Sequence, residues 1–70
     1  MVKFRQKLDK NKKIYIPKPL REIGFNDIIE IEPNTHAAVM YPRGVPLDRV
    51  IASLEIILRD LKLRLDFEGG

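Results

Sequence analysis

The apolar residues of this chain follow one period up to Tyr41 and another from Leu47, and Pro42, Gly44 and Pro46 mark the switch. Proline and glycine at this density interrupt any ladder or helix, so two different structures must meet there. Upstream, residues 3–8 alternate: Phe4, Gln6 and Leu8 point one way, Lys3, Arg5 and Lys7 the other. That is the period of a strand with one basic face. Asp9, Lys10, Asn11 and Lys12 supply turn chemistry, with Asn11 suited to a left-handed conformation, and residues 13–16 (KIYI) read as the returning strand of a hairpin. Pro17 ends it. A helix of about a turn and a half follows, with Pro19 at its start, Gly24 just past its end, and Leu20 and Ile23 turned inward. Residues 28–32 and 37–41 read as two further strands, joined by a turn at Pro33, Asn34 and Thr35.

Downstream the spacing becomes three and four. Leu47, Val50, Ile51, Leu54, Ile57, Leu58, Leu61 and Leu65 describe an amphipathic helix, with Pro46 in its first turn and Asp48 complementing its N-terminus. Residues 61–67 also alternate with period two, and Leu63 falls off the helical stripe. The helix is therefore expected to end near Leu61, leaving a tail able to add to a sheet edge. The expected organisation is residues 1–45 as one unit and 46–70 as a helix and tail. The fold class expected is mostly β with a C-terminal helix.

Charge is distributed as unevenly as periodicity. Through Arg21 the chain carries eight cations against Asp9 alone, a local +7, whereas from Glu22 onward five cations meet nine acids, a local −4. The formal net charge of +3 conceals this dipole. A cationic head with almost no acids is the footprint of a polyanion binder, since a face built only for solubility mixes both signs. Lysine outnumbers arginine in it, and lysine suits phosphate better than base edges. The candidate contacts are Arg5, Lys7, Lys10, Asn11, Lys12, Lys13, Lys18 and Arg21, of which Arg5, Asn11 and Arg21 could also read bases. Modest sequence specificity is expected.

Other chemistries find little support. There is no cysteine and one histidine, so neither a disulfide framework nor a metal set is expected, and no cofactor motif is present. His36 sits at a turn. Asp27, Glu30 and Glu32 read as a solvated strand face, and Tyr15 as a packing residue beside Lys13. An enzyme is not expected. The longest apolar runs are too short to span a bilayer, and no secretory signal opens the chain, so a cytoplasmic, nucleoid-associated protein is expected. Seventy residues bury only about 60% of their unfolded surface, which makes a second copy the natural source of further core. The leucine-rich stripe at Leu47, Val50, Ile51, Leu54, Ile57, Leu58 and Leu61 is the candidate packing surface for that copy or a partner protein.

The succession Lys7-Leu8-Asp9, Lys13-Ile14-Tyr15-Ile16-Pro17, Leu20-Arg21, Ile23-Gly24-Phe25 and Ile29-Glu30-Ile31 resembles the AbrB/SpoVT swapped-hairpin family. That family includes transition-state regulators, MazE-like antitoxins and small archaeal DNA-binding proteins. The likeness covers roughly residues 3–43, and its signature is a strand ending in Ile-Pro followed by Leu-Arg and Gly. It implies two chains exchanging hairpins into one β-barrel, with Lys13 and Arg21 at double-stranded DNA. Lys12 stands where the family usually has a glycine, and Glu22 where several members carry a second basic residue. The function implied is a homodimeric DNA-binding protein, a transcription regulator or chromatin-type protein. An antitoxin, whose C-terminal segment captures a toxin protein, is the alternative.

Overall fold

The computed structural model describes residues 3–68 as a small mixed α/β domain, with a short helix α1 (Lys18–Glu22), a hairpin of β1 (Ile29–Asn34) and β2 (Ala37–Pro42), and a long helix α2 (Leu47–Phe67). β1 and β2 pair antiparallel from Ile29↔Pro42 to Asn34↔Ala37. The hairpin turn is Thr35-His36, later than the expected Pro33–Thr35 turn, because Pro33 joins the ladder opposite Ala38. A two-stranded sheet is all edge, so a residue without an N–H is tolerated there. Asn34 Oδ1 accepts the Thr35 N–H at 2.6 Å and steadies the corner.

Two local devices set the path into the hairpin. Proline occupies the second position of α1, where its missing N–H costs nothing. At the other end the Phe25 N–H reaches Leu20 O (3.0 Å) and the Gly24 N–H reaches Arg21 O (3.3 Å), the paired bonds of a Schellman stop. Gly24 has φ +119°, and a Cβ there would lie 3.3 Å from Pro42 Cγ, so both conformation and space require glycine. The stop turns Phe25 into the interior, where it and Val50 of α2 are buried; Pro17 is the other buried residue among those described. Leu20 is half-buried; Ile23 faces the same side as Leu20 but stays exposed, because the groove it lines is open.

The N-terminal segment departs from expectation. Residues 3–8 and 13–16 form no strand; their turn is closed, but no ladder extends from it. Helices span 5 and 21 described residues against 6 in each strand, so the single chain is not mostly β. An isolated hairpin is marginal in water, and Phe4, Leu8 and Ile14 have no sheet beneath them: all are about half exposed. The other correction lies in α2, which continues past Leu61 to Phe67. Leucine, lysine and arginine are strong helix formers. An Asp60–Arg64 ion pair (3.3 Å) braces the last turns, and the Glu68 N–H returns to Arg64 O at 2.9 Å. The period-two run is two helical faces interleaved, Leu61 and Leu65 on one and Leu63 and Phe67 on the other.

α1, β2 and the first half of α2 enclose an open apolar groove of about 520 Å³, lined by Leu20, Phe25, Met40, Val50, Leu54 and Ile57 among others. The chain exposes 6616 Å² of surface, whereas a compact protein of this mass exposes about 4,500 Å². Its radius of gyration is 13.7 Å, against about 11 Å for a compact chain of this length. The single chain is a framework with its core only partly filled.

Candidate nucleic-acid interface

The head of the molecule is organised by one carboxylate. Asp9 Oδ1 accepts the N–H of Asn11 (2.8 Å) and of Lys13 (2.9 Å), while its carbonyl accepts the Lys12 N–H (2.9 Å) and its own N–H donates to Lys13 O (2.9 Å). These bonds fix a tight turn whose side chains are Lys10, Asn11, Lys12 and Lys13, all exposed. The geometry is that of a three-residue hairpin loop ending in a left-handed residue. That residue is Lys12, with φ 65°, and not Asn11 as residue type suggests. A lysine held there costs about 1 kcal/mol relative to glycine. The lone acid of the head is thus spent on backbone N–H groups and makes no ion pair with the lysines around it.

Arg21 occupies a second, separate anchor. Its Nη2 donates to Tyr15 Oη at 2.7 Å, and its Cζ lies 5.4 Å from the centre of the Tyr15 ring. A guanidinium carries five donors, so this contact positions the group and leaves others free for a phosphate or base. Tyr15 therefore acts as an arm for Arg21 across Pro17, a role that alternation alone does not reveal. Asn26 Nδ2 also donates to Arg21 O (3.3 Å), tying the end of α1 to the following turn.

Of the sequence candidates, the structure gathers Lys10, Asn11, Lys12 and Lys13 on one turn and places Lys18 and Arg21 at the two ends of α1. Arg5 and Lys7 are exposed on the segment leading into the turn. Among the described residues no hydrogen bond joins the turn to α1, and none of these cations enters an ion pair. Unpaired, exposed cations keep their full field for an external anion.

The acidic side of the molecule is different in kind. Tyr41 of β2 donates its hydroxyl proton to Glu32 of β1, and Glu30 lies directly opposite Tyr41 in the ladder. That hydrogen bond, followed by burial and the two carboxylates, raises the Tyr41 phenol above its ordinary value of 10.0. No group of three or more His, Asp or Glu side chains able to hold a metal ion occurs among the described residues. No helix among them is long and apolar enough to cross a membrane. Comparisons with protein-family models, curated proteins and solved structures found no match to this chain.

Proposed function

We propose that this protein binds double-stranded DNA as a homodimer, gripping phosphates through the Asp9–Lys13 turn and Arg21, in the manner of a transcription regulator or chromatin-type protein. The observation that carries this reading is the turn itself. Four hydrogen bonds, two to the Asp9 carboxylate and two between backbone groups, hold it shut before any ligand arrives, and its exposed side chains include three lysines with no acid to pair with. A pre-formed cationic loop loses little entropy on meeting a phosphate backbone.

A second copy follows from what the chain leaves open. Phe4, Leu8 and Ile14 flank the closed turn without a ladder, and the apolar groove beside β2 is unfilled. Exchange of these arms between two chains, as the likeness to swapped-hairpin proteins suggests, gives both sets of groups a partner. It closes a barrel that neither chain completes alone, and it presents two cationic turns about one two-fold axis. The excess surface, about 2,000 Å² per chain relative to a compact monomer, suits an obligate dimer interface. Lysine-rich contact favours grip over base reading, so specificity is modest. The antitoxin alternative needs a strand-like tail at residues 61–67; those residues are helical, which favours an architectural role for the C-terminal segment.

The test is a duplex titration at two ionic strengths. With about 6–10 phosphate contacts per dimer, affinity should fall roughly 10³–10⁵-fold between 50 and 200 mM salt. A salt-independent affinity, or no binding at 50 mM, overturns the proposal.

A further inference from the structure

α2 carries a seam of which its own groove takes one residue, Leu54. Leu47, Ile51, Leu54, Leu58, Leu61 and Leu65 follow one another at spacings of four, three, four, three and four. That is a heptad repeat, with leucine at every d position (47, 54, 61) and Ile51, Leu58 and Leu65 at a. Leu54 is half-buried at the edge of the groove, and the other five are exposed, from 48% at Leu61 to 66% at Leu47. On one side of the seam the flank is Val50, Ile57 and Arg64, of which the first two line the chain's own groove. The flank on the other side is charged: Asp48, Glu55 and Lys62. Val50, Leu54 and Ile57 thus face the chain's own groove, whereas Leu47, Ile51, Leu58, Leu61 and Leu65 do not line it. On the far face Ala52, Ile56, Leu63 and Phe67 are also exposed, but Arg59 and Asp60 interrupt them and no heptad runs through.

We infer that α2 pairs antiparallel with α2 of a second copy of this chain, in the register Leu47↔Leu65′, Ile51↔Leu61′ and Leu54↔Leu58′. In that register every a residue meets a d residue, and the two-fold axis passes at the level of Ile56. Antiparallel pairing sets like flanks together, so Asp48 meets Lys62′ at both ends of the seam. Glu55 meets its own copy at the solvated rim, where screening weakens the repulsion. A parallel pair would instead set Glu55 and Lys62 against Val50′ and Ile57′, which are already committed to their own grooves. Charge complementarity thus selects the antiparallel form. The seam is roughly 27 Å long at 1.5 Å per residue, enough for nearly three heptads. The occupant is a copy of this chain because every a residue meets a d residue and Asp48 meets Lys62′ at both ends, and because each chain exposes about 2,000 Å² more than a compact monomer. This deepens the two-copy reading above and does not depend on DNA binding.

The chain has no cysteine, so introduced thiols report unambiguously. Leu47→Cys and Leu65→Cys chains, coexpressed full-length with different tags and oxidised without DNA, should yield the mixed 47–65′ disulfide about tenfold over either like-with-like product. Like-with-like products in equal or greater yield overturn the antiparallel register. Sedimentation separates the two levels of the inference: a monomeric mass overturns the two-copy reading as a whole, whereas an intact dimer lacking the mixed disulfide overturns the seam alone. Asp48→Lys or Lys62→Asp should weaken self-association about tenfold, and the double variant should restore it. Unchanged association in both single variants with full helix content by circular dichroism overturns the charge pairing.

Discussion

The two ends of this chain solve opposite problems with the same economy of contacts. The head, residues 3–22, is rich in charge and poor in packing; its turn is ordered by two bonds to the Asp9 carboxylate and two between backbone groups. α2 is rich in packing surface, yet it buries only Val50. The head keeps its cations free by giving its acid to the backbone. α2 keeps its leucines free by turning only Val50 and its neighbours toward the groove. In each case the local structure is complete and its outward-facing chemistry is unsatisfied, which is what a chain built to meet other molecules requires.

If the difference is functional, the two regions should fail separately. The largest effect is on binding: Lys10→Ala, Lys12→Ala and Lys13→Ala combined should lower duplex affinity by at least about a hundredfold at 50 mM salt, with the oligomeric mass unchanged. Equal loss of assembly in that variant would merge the two regions into one. Next comes the core that joins them. Phe25→Ala removes the largest buried side chain among the described residues and should cost about 3 kcal/mol in urea unfolding. A cost under about 1 kcal/mol would mean that Phe25 is not a shared anchor. Smaller and opposite in sign, Lys12→Gly relieves the left-handed strain and should stabilise the fold by about 1 kcal/mol while weakening DNA binding. That variant separates the charge from the turn, and tighter binding would show that geometry outweighs the lysine.

The smallest expected effect is a titration on the acidic hairpin. The Tyr41 phenol lies above its ordinary 10.0 because its hydroxyl hydrogen-bonds to Glu32, and burial and the two carboxylates oppose a phenolate. A folded value above the unfolded one means that the contribution is complete below about pH 10 and is lost as pH rises through the folded value. Absorbance at alkaline pH should therefore place Tyr41 later than in a Glu32→Gln variant. Coincident midpoints would show that the hydrogen bond does not hold in solution.

Much of the fold is legible in the sequence because its signals are local. Pro19 and Gly24 bracket α1, Pro42 and Pro46 bracket the break before α2, and the turn residues between two apolar runs mark β1 and β2. What is not legible depends on competition between structures. Residues 3–8 and 13–16 have strand periodicity, but the one sheet among the described residues is the β1–β2 pair, and neither segment joins it. The run from Leu61 to Phe67 satisfies both periods, and helix propensity with the Asp60–Arg64 pair decides it. The candidate site divides in the same way. Its charge is plain in the sequence, as is the turn. The bond from Arg21 to Tyr15 spans Pro17 and α1, and no spacing rule announces it. Residue type points to Asn11 as the left-handed position, but the closing bond from Lys13 to Asp9 places it one residue later, at Lys12.

That the closed lysine turn grips phosphates in a two-chain assembly is tested most directly by the slope of log affinity against log salt. The wild-type protein should give a slope of about −5 to −9, corresponding to roughly 6–10 neutralised phosphates. Replacing Lys10, Lys12 and Lys13 by alanine should make that slope shallower by about 0.9 for each phosphate no longer neutralised, up to about 5 for two turns per dimer. A slope unchanged by these three substitutions would contradict the central claim, because the released counterions would then belong to another part of the molecule.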